Sequence, residues 1–376
     1  MNTAPFVVRA RAAAITNIPF GHEPHDDVGR DSSRRGWVMR RSVGMKIFTM
    51  LMLVAALAGC QKTSHQDAGK GYAGTPQKIT VAYTAQPESA LVLVAAAKGY
   101  FADEALDAQM HAHTSGKSAL QAVIENKADF ATVAETPIMF NVLKGEKILV
   151  VANIETSTMN HALVARKSAG ISQPGDLKGK RVGFVPGTTS DFFLDSLLTA
   201  SGLTRQDIHP VALGIEAMQE AMMAEKVDAV SAWNCPLTQI SRQLGPDGVI
   251  FYDQQIYTET FNIAAMQDFV RSNPEAVKRF LRALIKAENF VMKNPDEAQA
   301  IVSAAIQVDK ELVFEIWNTF NYRVTLDQIL LIALEDETRW AMKNKLTDQD
   351  VMPDYMNYIH LDSLMAVKPE AIRINR

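Results

Sequence analysis

Apolar and polar positions along the chain fall into a repeating order, a short strand-like run followed by a helix-like stripe. Residues 78–83 (KITVAY) alternate and are β-branched, which predicts a first strand. Residues 91–98 are apolar with small side chains and end at Gly99, predicting a helix closed by a glycine C-cap. A turn and a second strand over 108–112 come next. Ser115-Gly116 then starts a helix over 117–126, with Ala119, Leu120, Val123 and Ile124 along one side. Residues 130–133 predict a short buried strand, Thr136 an N-cap with Pro137 at the first helical position, and 148–154 a further strand. The rhythm then resumes, with strands over 181–185, 211–213 and 227–232 and helices over 191–201 and 215–225 between them, ending near Phe251. This predicts two α/β units, each a parallel or mixed sheet covered by helices. Beyond Thr260 the pattern is mostly helical, over 274–293, 295–306, 309–317 and 326–343. The first of these helices carries a broad stripe of Val277, Phe280, Leu281, Leu284, Ile285 and Phe290 that needs a packing partner.

One segment carries candidate chemistry. In DLKGKRVGFVPGTTSDFFLDSLL (176–198), Pro186 and Gly187 break a strand, and Thr188, Thr189 and Ser190 supply hydroxyls and backbone donors where a helix leaves its first N–H groups unpaired. Such a loop suits a small polar or anionic solute. Simple capping by Thr189 or Ser190 accounts for the same residues.

The N-terminal region bears on compartment. Arg40, Arg41 and Lys46 precede an apolar run over 47–56, closed by Leu57-Ala58-Gly59-Cys60, the basic, apolar, small-residue order of an export signal. The run is too short to span a bilayer as a stable helix. Residues 1–44 are polar, Arg-rich and unpatterned, and read as an unstructured extension or a start site placed too early; 45–59 then form the signal peptide. Residues 60–77, rich in Gly, Ser, Thr, Gln and Lys, read as a flexible tether. The first 59 residues hold eight Lys/Arg against four Asp/Glu, so residues 60–376 carry −8 where the whole chain carries −4. An acidic body argues against a nucleic-acid partner. Cys235 is the only cysteine besides Cys60, which excludes a cysteine-built zinc or iron–sulfur centre and, with Cys60 lipidated, an internal disulfide.

Four segments, AAAKGYFADEALDAQ (95–109), SGKSALQAVIENKADFATVAETPIMF (115–140), SAGISQPGDLKGKRVGFVPGTTSDFFL (168–194) and AMMAEKVDAVSAWNCP (221–236), occur in one order behind a sequence that resembles the bacterial lipobox. Together they resemble the solute-binding proteins of ABC importers in the nitrate/sulfonate/taurine and thiamine-precursor (hydroxymethylpyrimidine synthase-like) group. The resemblance implies an α/β, two-lobe periplasmic-binding-protein fold (type II), with C-terminal helices packed on lobe 1. It places the crossings near 163–166 and 257–263, so that lobe 1 comprises 78–164 and 261–376 and lobe 2 comprises 165–260. It implies a lipidated Cys60, a periplasmic or cell-surface monomer anchored to a membrane, and partnership with an ABC permease and its ATPase. No cofactor, metal or catalytic residue is implied.

Under this resemblance the ligand loops are Thr84 and Gln86 after the first strand, Glu135 and Thr136 before a helix, Gly187, Thr188, Thr189 and Ser190, and Trp233 and Asn234. Trp233 is positioned to stack on a ligand, and Asn234 to hydrogen-bond. Two departures stand out: Asn234 replaces a common Asp, and Ala105 a common Gly. These loops hold no Lys or Arg, so an anion would rest on neutral donors and helix N-termini. Glu135, or an inward-turned Asp191, suits an amine; Asp191 equally suits the first helical turn. The expected solute is a sulfonate, a taurine-like zwitterion, a nitrate-like anion or a pyrimidine. Two other readings are a ligand-sensing lipoprotein docked on a membrane partner and a pyrimidine-synthesising enzyme of related fold. The scattered His111, His113, His161, His209 and His360 offer no clustered catalytic group, although His111 and His113 share one strand face.

Overall fold

A computed structural model describes residues 75–374. The extension, the signal sequence, Cys60 and nearly all of the tether lie outside the described residues.

The first strand, β1 (Gln77–Thr84), turns through Pro87–Ser89 into α1 (Ala90–Ala97) and the short α2 (Tyr100–Asp103). Then come β2 (Leu106–His113), α3 (Gly116–Ile124), β3 (Phe130–Ala134), α4 (Glu135–Leu143) and β4 (Ile148–Ser157). The second unit begins with β5 (His161–Arg166) and continues through β6 (Arg181–Phe184), α5 (Thr189–Ala200), β7 (His209–Ala212) and α6 (Ile215–Met223). It closes with β8 (Ala229–Trp233), α7 (Pro236–Leu244) and β9 (Gly248–Phe251). The return strand β10 (Glu259–Met266) leads to α8 (Gln267–Ser272), α9 (Pro274–Lys293), α10 (Pro295–Ile306) and α11 (Lys310–Trp317). The chain ends in β11 (Asn321–Asp327), α12 (Gln328–Lys343), α13 (Leu361–Val367) and β12 (Ile372–Arg373).

These strands form two mixed sheets. The larger has the order β12-β11-β4-β10-β3-β1-β2 and the smaller β7-β6-β8-β5-β9. Each contains one strand that arrives from the other half and inserts antiparallel: β10 between β3 and β4, and β5 between β8 and β9. Each half is therefore sewn together by chain that has just come from its partner. The stripe on α9 meets α1, with Phe280 stacked between Phe101 and Phe130 at centroid distances of 5.2 and 4.1 Å. The C-terminal helices thus pack on the larger sheet's half, lobe 1.

Several expectations need correction. The chain leaves the larger sheet after Ser157 and enters the smaller at His161, so residues 163–166 are not a crossing but part of β5, a strand buried along its whole length. The return falls between Phe251 and Glu259. Residues 259–266, which include most of the expected 257–263 crossing, and 321–327, which overlap the start of the helix expected over 326–343, are strands. In β10 the buried Glu259, Thr260 and Asn262 conceal the apolar signal, because their polar groups are satisfied internally rather than by water. Thr136 is not an N-cap: Ala134 holds that place in extended conformation and α4 starts at Glu135. Ala105, which stands where the resemblance implies a Gly, adopts φ +50°, the left-handed turn a glycine accepts without steric cost.

Candidate functional site

Ligands of open α/β sheets bind beyond the carboxyl ends of parallel strands. Here those ends from both sheets face one another. After β1 come Gln86 and Glu88, after β2 Ser115 and Lys117, after β6 Thr188 and Thr189, and Trp233 ends β8. With Glu259 at the start of β10, they line a narrow, partly open cleft between the lobes with about 20 Å³ of free space. That is room for about one water molecule, so a larger solute enters only when the lobes part.

Side chains bridge the lobes at several points, among them an ion pair between Arg242 of α7 and Glu315 of α11. Lys117 Nζ donates to the Pro186 carbonyl across the rim at 2.9 Å, and Trp340 Nε1 of lobe 1 donates to Asp195 Oδ2 of lobe 2 at 2.8 Å. Phe192 and Phe140 pack edge-on against the Trp340 ring.

Beneath the cavity lies an unusual concentration of carboxyl groups. Glu88, Glu135, Glu155, Glu259 and Glu337 are each at most 2% exposed. Asn160, in the crossing segment, donates its Nδ2 to Glu88 Oε1 at 2.9 Å and to Glu259 Oε2 at 2.6 Å. Glu88 Oε2 and both oxygens of Glu155 have no hydrogen-bond partner in the protein, while the Glu135 and Glu337 carboxyls share a hydrogen bond. Burial pushes the Glu88 and Glu135 carboxyls up to about 7. Burial, with repulsion among the neighbouring carboxyls, drives Glu155, Glu259 and Glu337 well above the usual carboxylate range.

His161 stands 3.5 Å from Glu259 through Nδ1 and meets Thr189 Oγ1 through Nε2 at 2.5 Å. Burial pulls its imidazole down to about 3, so it adds no positive charge at neutral pH. His161, Trp233, Tyr257 and Phe192 form an aromatic wall beside these carboxyls. Trp233 Nε1 and the Tyr257 hydroxyl lack partners within the protein.

The residues singled out from sequence divide by whether they line the cavity; among those that do, Thr188 Oγ1 donates to the Val185 carbonyl at 2.8 Å and Thr189 Oγ1 meets His161. Gln86, Thr188, Thr189 and Trp233 line the cavity. Thr84 bonds to Thr132, Glu135 accepts from the Thr260 amide and hydroxyl at 2.9 Å each, and Thr136 donates to Glu337. Ser190 donates to the Ser231 carbonyl and accepts from the Val185 amide, while Asn234 accepts from Thr238. Gly187 sits at the rim, its φ at +67° and the Lys117 ammonium against it. Asp191 occupies the first turn of α5, held by Arg205 at 2.6 Å and the Gly187 amide at 2.9 Å.

Sequence reading missed Glu88, Lys117 and Glu259. Lys117 was legible, since Ser115-Gly116-Lys117 repeats the strand, loop, helix-start order of 185–190. Glu259 carried no local signal. Among the described residues, no group of three or more His, Cys, Asp or Glu is arranged to hold a metal, and no helix is long and apolar enough to cross a membrane. Cys235 is buried, which pushes its thiol well up and leaves it a poor nucleophile.

Comparison with known proteins places this geometry. The periplasmic aliphatic sulphonate binding protein SsuA of Escherichia coli superposes with a TM-score of 0.65 at 16% identity, over 74% of this chain and 96% of that one. The alkanesulfonate-binding protein SsuA of Xanthomonas axonopodis pv. citri gives 0.66 at 15%, over 77% and 99%. At such identities the likeness establishes the fold, that of two-lobe periplasmic binding proteins. A formylaminopyrimidine-binding protein of Halalkalibacterium halodurans is 22% identical over 263 residues, 67% of this chain and 76% of the relative. The NMT1/THI5-like family description matches residues 86–298, more than half of the sequence, and the chain belongs to that family.

Proposed function

We propose that this protein is the solute-binding component of an ABC importer, which captures a small molecule between its lobes and delivers it to a permease without transforming it. The observation that carries the reading is the cavity itself, walled by Gln86, Glu88 and Lys117 from one lobe and by Thr188, Thr189 and Trp233 from the other. A ligand touching both walls stabilises the closed arrangement and so couples capture to a shape a permease can recognise. Family membership and fold support the same role, and the binding proteins among its relatives make sulfonates, taurine-like compounds, nitrate-like anions and pyrimidines the first solutes to test.

The role requires export. The basic, apolar, small-residue order ending at Cys60 supports a lipid-anchored protein held at the periplasmic or cell-surface side by the 60–77 tether. Metabolic labelling with a fatty acid tests this: label is expected in the wild type and absent in Cys60→Ala.

A thermal-shift screen of the purified mature chain tests capture. A bound solute raises the melting temperature by mass action. Thr189→Ala and Trp233→Ala should reduce the shift at fixed ligand concentration. A full shift in both variants would remove the cleft assignment.

A further inference from the structure

Resting on the solute-capture reading, we propose that the solute carries a protonated nitrogen next to a hydrogen-bond acceptor, and that this nitrogen seats between Glu88 and Glu259. Two observations point to such a ligand independently. The first is Glu88, 1% exposed and lining the cavity, which leaves Oε2 without a partner while Asn160 holds its other oxygen and ties it to Glu259. The second is Trp233, 6% exposed on the same wall, whose Nε1 donor is unpartnered. An ammonium or amidinium answers the carboxylates, and its face-on approach to an indole is favourable. An acceptor oxygen on the ligand answers the indole N–H.

The charges facing this spot are one-sided. Glu155 from β4, Glu135 from α4 and Glu337 from α12 bear on Glu88 or Glu259, with Tyr322 from β11 and Cys235 beside them. Against these stand His161, neutral by burial, and Lys117 at the rim, where Nζ is engaged by the Pro186 carbonyl and faces Asp191. A bare sulfonate or nitrate would meet carboxyl oxygens at Glu88 and Glu259 and one lysine at the edge. A cation instead lets a carboxyl that is protonated in the empty site release its proton and ionise. Proton release on binding makes affinity rise with pH.

The test uses matched probes on the mature chain, unfolded and refolded to strip any carried-over solute. Taurine and isethionate differ only by amine against hydroxyl, as do ethanolamine and ethylene glycol; nitrate and uracil, which is uncharged throughout this pH range, complete the set. The expected result is a melting-temperature rise with taurine or ethanolamine and none with their hydroxyl counterparts. The affinity should be about ten-fold tighter at about pH 7.5 than at about pH 5.5, and about ten-fold weaker in Glu88→Gln or Glu259→Gln, with folding of both variants checked by circular dichroism. A response to isethionate, nitrate or uracil without one to the amines would overturn the cation assignment and leave solute capture standing. Amine binding unchanged in both variants would overturn the Glu88–Glu259 seat. No response to any probe would count against capture at this cavity, and the inference would fall with it.

Discussion

Trp340 in α12 and Asp195 in α5 are joined by a 2.8 Å hydrogen bond that ties the last long helix of lobe 1 to the first helix of lobe 2. Both side chains are nearly buried, and Arg205 holds the other Asp195 oxygen at 2.6 Å. A hydrogen bond to a charged acceptor is worth about 1.5–3 kcal/mol. Trp340→Phe keeps the packing on Phe140 and Phe192 but removes the donor. The ratio of closed to open molecules should fall by about ten-fold, since about 1.4 kcal/mol is a factor of ten. Small-angle scattering should show a larger radius of gyration for the variant with saturating solute absent; identical profiles would mean the contact does not govern closure.

Gly187 and Gly202 share a backbone conformation but not a setting. Their φ values are +67° and +73°, a region where a side chain costs about 1–2 kcal/mol. A Cβ on Gly202 would meet nothing within 4 Å, whereas one on Gly187 would come 3.3 Å from Lys117 Nζ and 3.8 Å from the Phe140 ring. Both Ala variants should therefore lose similar stability in denaturant titrations. Only Gly187→Ala should also weaken solute binding, by several-fold, because it wedges the rim. Equal affinities in the two variants would show that the rim closes elsewhere.

The buried carboxyls give stability an unusual slope with pH. Glu88 and Glu135 titrate near 7 in the folded chain and near 4.5 when unfolded, so between those values the folded state binds more protons. Their contribution is complete below about 4.5 and is lost as pH rises through about 7. For one such group the change is on the order of 3 kcal/mol. Glu155, Glu259 and Glu337 act in the same direction. His161 acts in the opposite one, its contribution present above about 6.5 and lost as pH falls toward 3. Carboxylates held below their ordinary range, such as Asp176 and Asp228, titrate beneath this window. The solute-free melting temperature should fall between about pH 5.5 and pH 8, and less steeply in Glu88→Gln. A flat or rising curve would show that the cluster is not protonated in the fold.

How much of this was legible in the chain depends on whether the signal is local. The strand, helix alternation from β1 to β4 and the loop over 186–190 were readable because each element's apolar face is set by its own residues. β5 and β10 were not, since both are central strands buried on each face and lack alternation; β10 also carries Glu259, Thr260 and Asn262, polar groups satisfied only by distant partners such as Asn160 and Glu135. The site followed the same rule. Thr188, Thr189 and Trp233 lie at strand ends where position alone suggests exposure to a cleft, whereas the Glu88–Asn160–Glu259 arrangement joins residues up to 171 positions apart through one amide.

Ser190 separates loop architecture from ligand contact. Its hydroxyl donates to the Ser231 carbonyl at 2.8 Å and accepts from the Val185 amide at 3.1 Å, and Ser231 returns a 2.8 Å bond to the Ser190 carbonyl. The hydroxyl is fully buried and both its roles lie within lobe 2, where it fixes the end of β6 against β8 and so aims Thr188 and Thr189 at the cavity. Ser190→Ala leaves the half-buried Val185 amide and the buried Ser231 carbonyl each short of one bond, at a cost of about 1–3 kcal/mol. Thr189→Ala instead removes the partner of His161 Nε2 on the cavity wall. Chemical denaturation should accordingly show the larger stability loss in Ser190→Ala, and titration with a solute identified by the screen should show the larger affinity loss in Thr189→Ala. The reverse ranking would place the Ser190 hydroxyl on the ligand and require the loop to rearrange on binding.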